Sequence, residues 1–293
     1  MQVEKALRIN LPDGIEFRGV EVTDGGLLIT YAIENDIDFI NISITDSIAR
    51  PTRLVGGTRV YQKEGTNYWF CKIKNGRDEF MYLDFSDLTE DDILYTKDGE
   101  ERKFVTERQK EFRENAIKAI ENKPAEGFRW IPVYEASGNY YSGILRFVSG
   151  ANVLTDISTN SWKEFFEKYS PENGSRMASI TTYFLLLLRL LKDGYVTIEQ
   201  LADDSKEIGR YYDSKNNDTL QEFEMTGTRQ LGGLSCLGNS QKIVLDPESK
   251  TGFSIVGGSF DDLGIDRPFA CVDKNLPGWF IPYYSVGLLE LTR

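Results

Sequence analysis

The stretch "GGLSCLGNSQKIVL" (residues 232–245) is followed closely by "SIVGGSFDDLG" (residues 254–264). Both pieces are punctuated by glycine: Gly232-Gly233, Gly238-Asn239 and Gly257-Gly258 stand beside short apolar runs. Glycine pairs permit positive φ or a close approach of backbones, and an asparagine after glycine can hydrogen-bond its own turn. An irregular, loop-rich fold needs both. The reading of these two pieces decides the fold of the second half, and whether that half is an enzyme or the shell of one.

Composition narrows the choice. The chain has 293 residues, 40% hydrophobic and 27% charged, enough for one large domain or two of ordinary size. Net charge is -12, which repels phosphate backbones, and no basic stripe offsets it, so nucleic acid is not an expected partner. Histidine is absent. That removes Ser-His and Cys-His nucleophile pairs, histidine-ligated zinc and the two-histidine iron triad. Acid–base work near neutral pH would fall to a shifted carboxylate, lysine, cysteine or tyrosine.

The three cysteines, Cys71, Cys236 and Cys271, have no Cys-x-x-Cys spacing and an odd count, so no disulfide framework or cysteine zinc site is expected. Cys236 and Cys271 could meet in space; three buried thiols are the plainer reading. The N-terminal "MQVEKALRINLPDG" lacks the apolar run of a signal peptide. "YFLLLLRLL" (residues 183–191) is too short for a bilayer and is interrupted by Arg189, so it reads as a buried core helix without membrane insertion. The expected location is the cytoplasm or a virion.

Along the chain, residues 1–105 read as β. "FINISIT" alternates with period two, and "GLLITYAI", "TRVYQ", "NYWFCKI" and "EFMYLDF" are further strand runs separated by turns such as "KEGTN" and "KNGRD". This spacing predicts a small antiparallel sandwich or barrel, for attachment or oligomerisation. "NYWFCKI" reads as strand core, and "LVGGTRV" lacks the lysine and spacing of a phosphate loop. Residues 106–123 change to a helical period, with Thr106 and Gln109 as a capping box and Phe112, Ile117 and Ile120 as a narrow apolar stripe. This helix reads either as a linker between two domains or as a packed surface helix of one of them. Residues 124–293 are mixed. "NSWKEFFEKY" is helical, its start boxed by Ser161 and Glu164; "SRMASITTYFLLLLRLLKDG" is a second helix stopped near Gly194; "VTIEQLADDSKEIG" is a third with Thr197 and Gln200 at its start. The whole is expected to be α+β.

The second half resembles the formylglycine-generating enzyme/sulfatase-modifying domain family, a variant of the C-type lectin fold. "NSWKEFF" is similar to the family's Ser-Trp helix opening, and Arg176 and Met177 occupy the first two places of its Arg-Leu-Pro-Thr-Glu helix entry. Gly233, Leu234, Gly238 and Asn239 match its Gly-Leu…Gly-Asn turn, one residue shorter; Gly257, Gly258 and Ser259 match its Gly-Gly-Ser step; Gly287 sits near its Gly-Phe-Arg close. The departures bear on chemistry. The family's tryptophan-rich strand is here "SQKIVL". Asp262 and Arg267 stand at about the places of the oxidase branch's copper-binding cysteines, and Cys271 alone cannot reproduce two-thiolate ligation. The related iron-dependent sulfoxide synthases use histidine. The resemblance therefore implies a fold and a binding surface, and argues against both chemistries.

Candidate sites follow. Asp261, Asp262 and Asp266 place oxygens in one turn-like segment. Calcium takes roughly six to eight oxygens, but the spacing is not that of an EF-hand, and solvated acids are the plainer reading. No other metal or cofactor is expected. Asp203 and Asp204 read as a helix end. "NLPGWFIPYYSVG" (residues 275–287) gathers Trp279, Phe280, Tyr283 and Tyr284 around two prolines. Aromatics with polar tips anchor binding surfaces, and the late loops form the ligand-facing side of the fold that the resemblance implies. Tyr140 and Tyr141 in "SGNYYSG" form a second aromatic turn of adaptable-loop composition, or a simple hairpin.

These readings point to a non-catalytic recognition or structural protein that shows its lectin-like domain to a protein or glycan ligand. A bacteriophage virion protein, receptor-binding or decorating, fits that description, as a homo-oligomer or part of a larger assembly. Two alternatives remain open: an enzyme of this fold with altered chemistry at Cys236 or Cys271, and a cytoplasmic acidic scaffold or anti-defence protein.

Overall fold

The computed structural model describes residues 78–139, 144–148, 151, 153–154, 157–158, 161–164, 175–205, 208–209 and 237–259, and, as backbone alone, strands at 15–23, 26–33, 42–43, 59–62, 69–73, 272–273, 285–287 and 289–291. In chain order the strands are β1 (Ile15–Thr23), β2 (Gly26–Ile33), β3 (Ile42–Ser43), β4 (Arg59–Gln62), β5 (Trp69–Ile73) and β6 (Asp78–Asp84). Helices α1 (Asp91–Leu94) and α2 (Glu107–Glu121) precede β7 (Phe128–Pro132), β8 (Ser137–Asn139), β9 (Ile144–Arg146) and β10 (Ser175–Met177). Helices α3 (Ile180–Lys192) and α4 (Ile198–Ala202) lead to β11 (Gln241–Leu245), β12 (Phe253–Val256), β13 (Val272–Asp273), β14 (Ser285–Gly287) and β15 (Leu289–Leu291). The architecture is α+β.

The first strands form a three-stranded sheet, β1-β2-β3. The central sheet is antiparallel in the order β10-β15-β7-β6-β5-β4. This order brings strands from both sides of α2 into one sheet. β6 and β7 flank α2 in sequence and are paired from Phe80↔Pro132 to Asp84↔Phe128. Residues 1–105 form no separate sandwich or barrel among the described residues, because β4, β5 and β6 share a sheet with strands of the second half. Strand-and-turn spacing identifies strands; it does not name their neighbours. Helix α2 accordingly packs within this unit, its Phe112 ring 6.0 Å from that of Phe184 in α3.

Period-two alternation sends the two faces of the central sheet into two cores. Met81, Leu83, Ile131 and Val133 meet the helices, with Ile93, Phe112, Ala116 and the buried length of α3. Phe80 and Trp130 face the other way, onto Leu145, Phe147, Trp162, Met177, Ile243, Phe253 and Ile255. Strand β11 contributes to both, Ile243 to the second core and Val244 to the first. Each large side chain fully removed from water adds about 1.5–3 kcal/mol, which is what holds sheet and helix layers together.

Helix α3 is buried nearly all round, as expected of "YFLLLLRLL". It starts later than its sequence suggests: residues 175–177 are strand β10, and Ser179 caps the helix through its oxygen and the Thr182 N–H. It stops where expected. Gly194, at φ 80°, donates to Leu191 O at 3.1 Å and Tyr195 donates to Leu190 O at 2.9 Å, the paired bonds of a glycine helix stop. The Thr197–Gln200 box of α4 forms in both directions. At α2 the box is altered. The Gln109 N–H reaches Thr106 Oγ1 at 3.1 Å, but Gln109 Oε1 accepts from Val105 N at 2.7 Å. Asp203, the C-cap of α4, then accepts from Thr106 Oγ1 at 2.7 Å and from Gln109 Nε2 at 2.6 Å, joining the two helices. The short helix at 161–164 is capped by Ser158, whose Oγ accepts from Ser161 N at 3.0 Å, and not by the expected Ser161–Glu164 box. No helix among the described residues is long and apolar enough to cross a membrane.

Candidate functional site

The two glycine-punctuated pieces are in contact. Gly238 N donates to Gly257 O at 2.7 Å. Four residues at this contact have positive φ: Gly238 at 66°, Asn239 at 60°, Gly257 at 88° and Gly258 at 63°. Glycine enters that region without a Cβ penalty, and asparagine is among the side-chain residues that best tolerate it. The β11–β12 hairpin runs between the two pieces, paired from Lys242↔Val256 to Leu245↔Phe253.

Beneath this turn lies an ion pair that is almost wholly buried. Lys242 Nζ is 2.8 Å from Glu135 Oε1, with side-chain exposures of 1% and 2%. Glu135 follows β7 and belongs to a distant part of the chain. Its Oε1 also accepts from Ser240 Oγ at 2.6 Å, and its Oε2 accepts from Asn239 Nδ2. Lys242 donates in addition to Gly238 O at 2.6 Å and to Ser240 O at 2.5 Å. All three ammonium donors are therefore used, and the carboxylate receives three donors. A charge pair this dry is tolerated when its hydrogen bonds are complete, and removal of one partner strands the other. A lysine used for nucleophilic or base chemistry must be reached by substrate. Lys242 instead grips two carbonyls of the turn and functions as a clamp.

Other buried polar groups have the same character. Asp246 accepts from Ser254 Oγ at 2.5 Å and from Glu248 N at 3.0 Å, closing the β11–β12 turn. Asp78 accepts from Phe147 N at 2.8 Å and from Arg146 Nη1 at 3.4 Å, fastening β9 to β6. Burial, with the Asp84 carboxylate beside it, pushes the Tyr82 hydroxyl up to about 12. No group of three or more Asp, Glu, Cys or His side chains suited to a metal ion occurs among the described residues.

The residues singled out from sequence, Trp279, Phe280, Tyr283, Tyr284, Tyr140, Tyr141, Asp261, Asp262 and Asp266, all lie outside the described residues, as do Cys236 and Cys271; Cys71 is on the backbone of β5. Their borders are described. Asn139↔Ile144 is a paired position of the β8–β9 hairpin, so residues 140–143 connect its strands. Residues 274–284 run from β13 to β14, and these are the two outer strands of one four-stranded sheet, in the order β13-β12-β11-β14. Glu135, Ser240 and Lys242 escaped the sequence reading. The available signal was a lysine between the turn and the apolar run "IVL", and a glutamate inside the aromatic "WIPVYEAS". Neither says that the two residues meet.

No protein family, curated protein or solved structure matches the chain.

Proposed function

We propose that the chain is a non-catalytic recognition or structural protein whose C-terminal part has a C-type lectin-like arrangement and presents aromatic loops to a protein or glycan. The observation that supports this most is the anchoring of the loop borders. The segment holding Trp279, Tyr283 and Tyr284 starts and ends on outer strands of one sheet. That sheet is pinned at its centre by the Lys242–Glu135 clamp. A loop whose ends are fixed on a rigid element loses less entropy on binding, and binding residues commonly sit on loops so supported. The chain has no histidine, and among the described residues the most buried lysine and glutamate, Lys242 and Glu135, are spent on the turn. Both facts favour recognition over catalysis.

A virion setting, with receptor-binding or decoration as the task, accords with this reading. Many copies on a particle would strengthen a weak single contact. The test is binding to host cells and a glycan panel by Trp279→Ala and Tyr284→Ala variants. A loss of at least tenfold in either supports the reading; unchanged binding in both removes these residues from the site. Co-purification with virions tests the setting.

A further inference from the structure

One carboxyl group in the clamp joins two nitrogens that can exchange places on a carbon. Glu135 Oε1 lies 2.8 Å from Lys242 Nζ, and Glu135 Oε2 accepts from Asn239 Nδ2. Lys242 Nζ also donates to Gly238 O at 2.6 Å and to Ser240 O at 2.5 Å, the carbonyls on either side of Asn239. The amine is thereby tethered on both sides of the residue whose carboxamide the same glutamate grips. The turn fixes Asn239 in place, at φ 60° next to the bond from Gly238 N to Gly257 O. Lys242, Glu135 and Asn239 are 1%, 3% and 6% exposed. Water, which competes with an amine for an acyl carbon, is kept away. Lys242 is closed to a substrate from outside, but an acyl group stands inside the clamp itself.

We propose that Lys242 and Asn239 join in an intramolecular amide bond, with Glu135 carrying the protons and ammonia leaving. Transfer of one proton along the 2.8 Å contact to Glu135 Oε1 leaves Nζ a neutral amine with a free lone pair. That lone pair attacks Asn239 Cγ, and the Cγ–Nζ bond forms. One amine proton then passes through the Glu135 carboxyl to Asn239 Nδ2, the Cγ–Nδ2 bond breaks, and ammonia departs. Nζ keeps one proton in the new amide, and Glu135 keeps the proton it first received. The step needs no oxidant, reductant or further reactant. Asn239 is the acyl donor because a carboxamide has an electrophilic carbon, whereas the Glu135 carboxylate is a poor electrophile and serves as proton carrier. Groups held together by a fold react without the entropic cost of meeting. The product replaces two buried ions by a neutral amide and a neutral carboxylic acid, which removes the cost of keeping charges dry. The proposal stands apart from the loop reading.

Mass spectrometry of the folded full chain is the test. The link makes the chain lighter than its sequence by about 17 Da, one ammonia. Trypsin does not cut after an acylated lysine. The digest should therefore hold residues 230–250 as one peptide, light by the same amount, with fragment ions placing the link between Asn239 and Lys242. Asn239→Gly removes the carboxamide yet suits a φ of 60°, so this variant should fold, show its full sequence mass and be cut after Lys242. Glu135→Gln removes the proton carrier and should also be cut there. Full mass with cleavage after Lys242 in the parent chain would overturn the proposal. So would a link from Lys242 to Glu135 with loss of about 18 Da, one water. Loss of ammonia mapping only to Asn75–Gly76 or Asn173–Gly174, where asparagine cyclises on its own backbone, would overturn it too. A linked 230–250 peptide in either variant would do the same. Trp279→Ala should leave that peptide unchanged while testing the loop reading, so the two fail separately.

Discussion

Among the described residues, the Lys242–Glu135 pair and the charge network at the end of α3 differ in what surrounds them. Lys242 and Glu135 meet in the interior at 2.8 Å with every donor used. Arg189 and Lys192, at the end of α3, meet Asp87 at 2.8 and 3.1 Å nearer the surface; Asp87 is 53% exposed, while Arg189, Lys192 and the Asp193 and Asp92 that extend the network are 17–26% exposed. Water reaches this network through Asp87 and several partners share its charges, so one lost contact is partly made up. In the interior nothing replaces a lost partner, so the same pair of charges becomes an obligation. The buried pair fixes a turn; the surface network steadies a helix end.

The largest effect should come from breaking the buried pair on one side. Lys242→Met or Glu135→Leu should cost about 3–5 kcal/mol in urea unfolding. The double variant should recover at least about 2 kcal/mol of the summed loss; simple additivity of the two singles would show that they do not act as a pair. Asp203 is an intermediate case, joining two helices from a half-buried place. Asp203→Ala should cost about 1–2 kcal/mol, and a loss as large as that of Lys242→Met would erase the distinction between interior and rim. At the end of α3, Arg189→Gln should cost about 1–2 kcal/mol, less than either single loss at the interior pair and less again at high salt.

The smallest effect is in pH. Partial burial alone would raise the Asp87 carboxyl, but the Lys192 hydrogen bond and the charges of Arg189 and Lys192 outweigh it and hold it below the usual aspartate range. A depressed folded value means that the contribution is complete above the unfolded aspartate range and is lost as pH falls through the folded value. Asp87→Asn should therefore remove a shallow acid-side slope and leave stability above pH ~6 nearly parallel to the parent's. A steeper acid slope in the variant would contradict this sign.

Local features were legible because their causes are local. Thr197 and Gln200 box α4, Gly194 ends α3, and the strand runs at 26–33, 69–73 and 78–84 are strands, since capping, positive φ and period-two alternation act over a few residues. The positive φ at Gly238, Asn239, Gly257 and Gly258 is legible in the same way, from a Gly-Asn and a Gly-Gly step. The Ser161–Glu164 box failed because Ser158, three residues earlier, offered the same oxygen.

The sequence by itself determined an acidic chain without histidine, an α+β content, the N-caps of α2 and α4 and the glycine stop of α3. Tertiary structure alone decided that β6 pairs with β7 across α2, that Gly238 meets Gly257, and that Glu135 lies under Lys242. The physical reason is range. A cap or a turn is stabilised by atoms a few residues away, whereas a sheet neighbour or a buried counter-ion is chosen by the packing of the whole core.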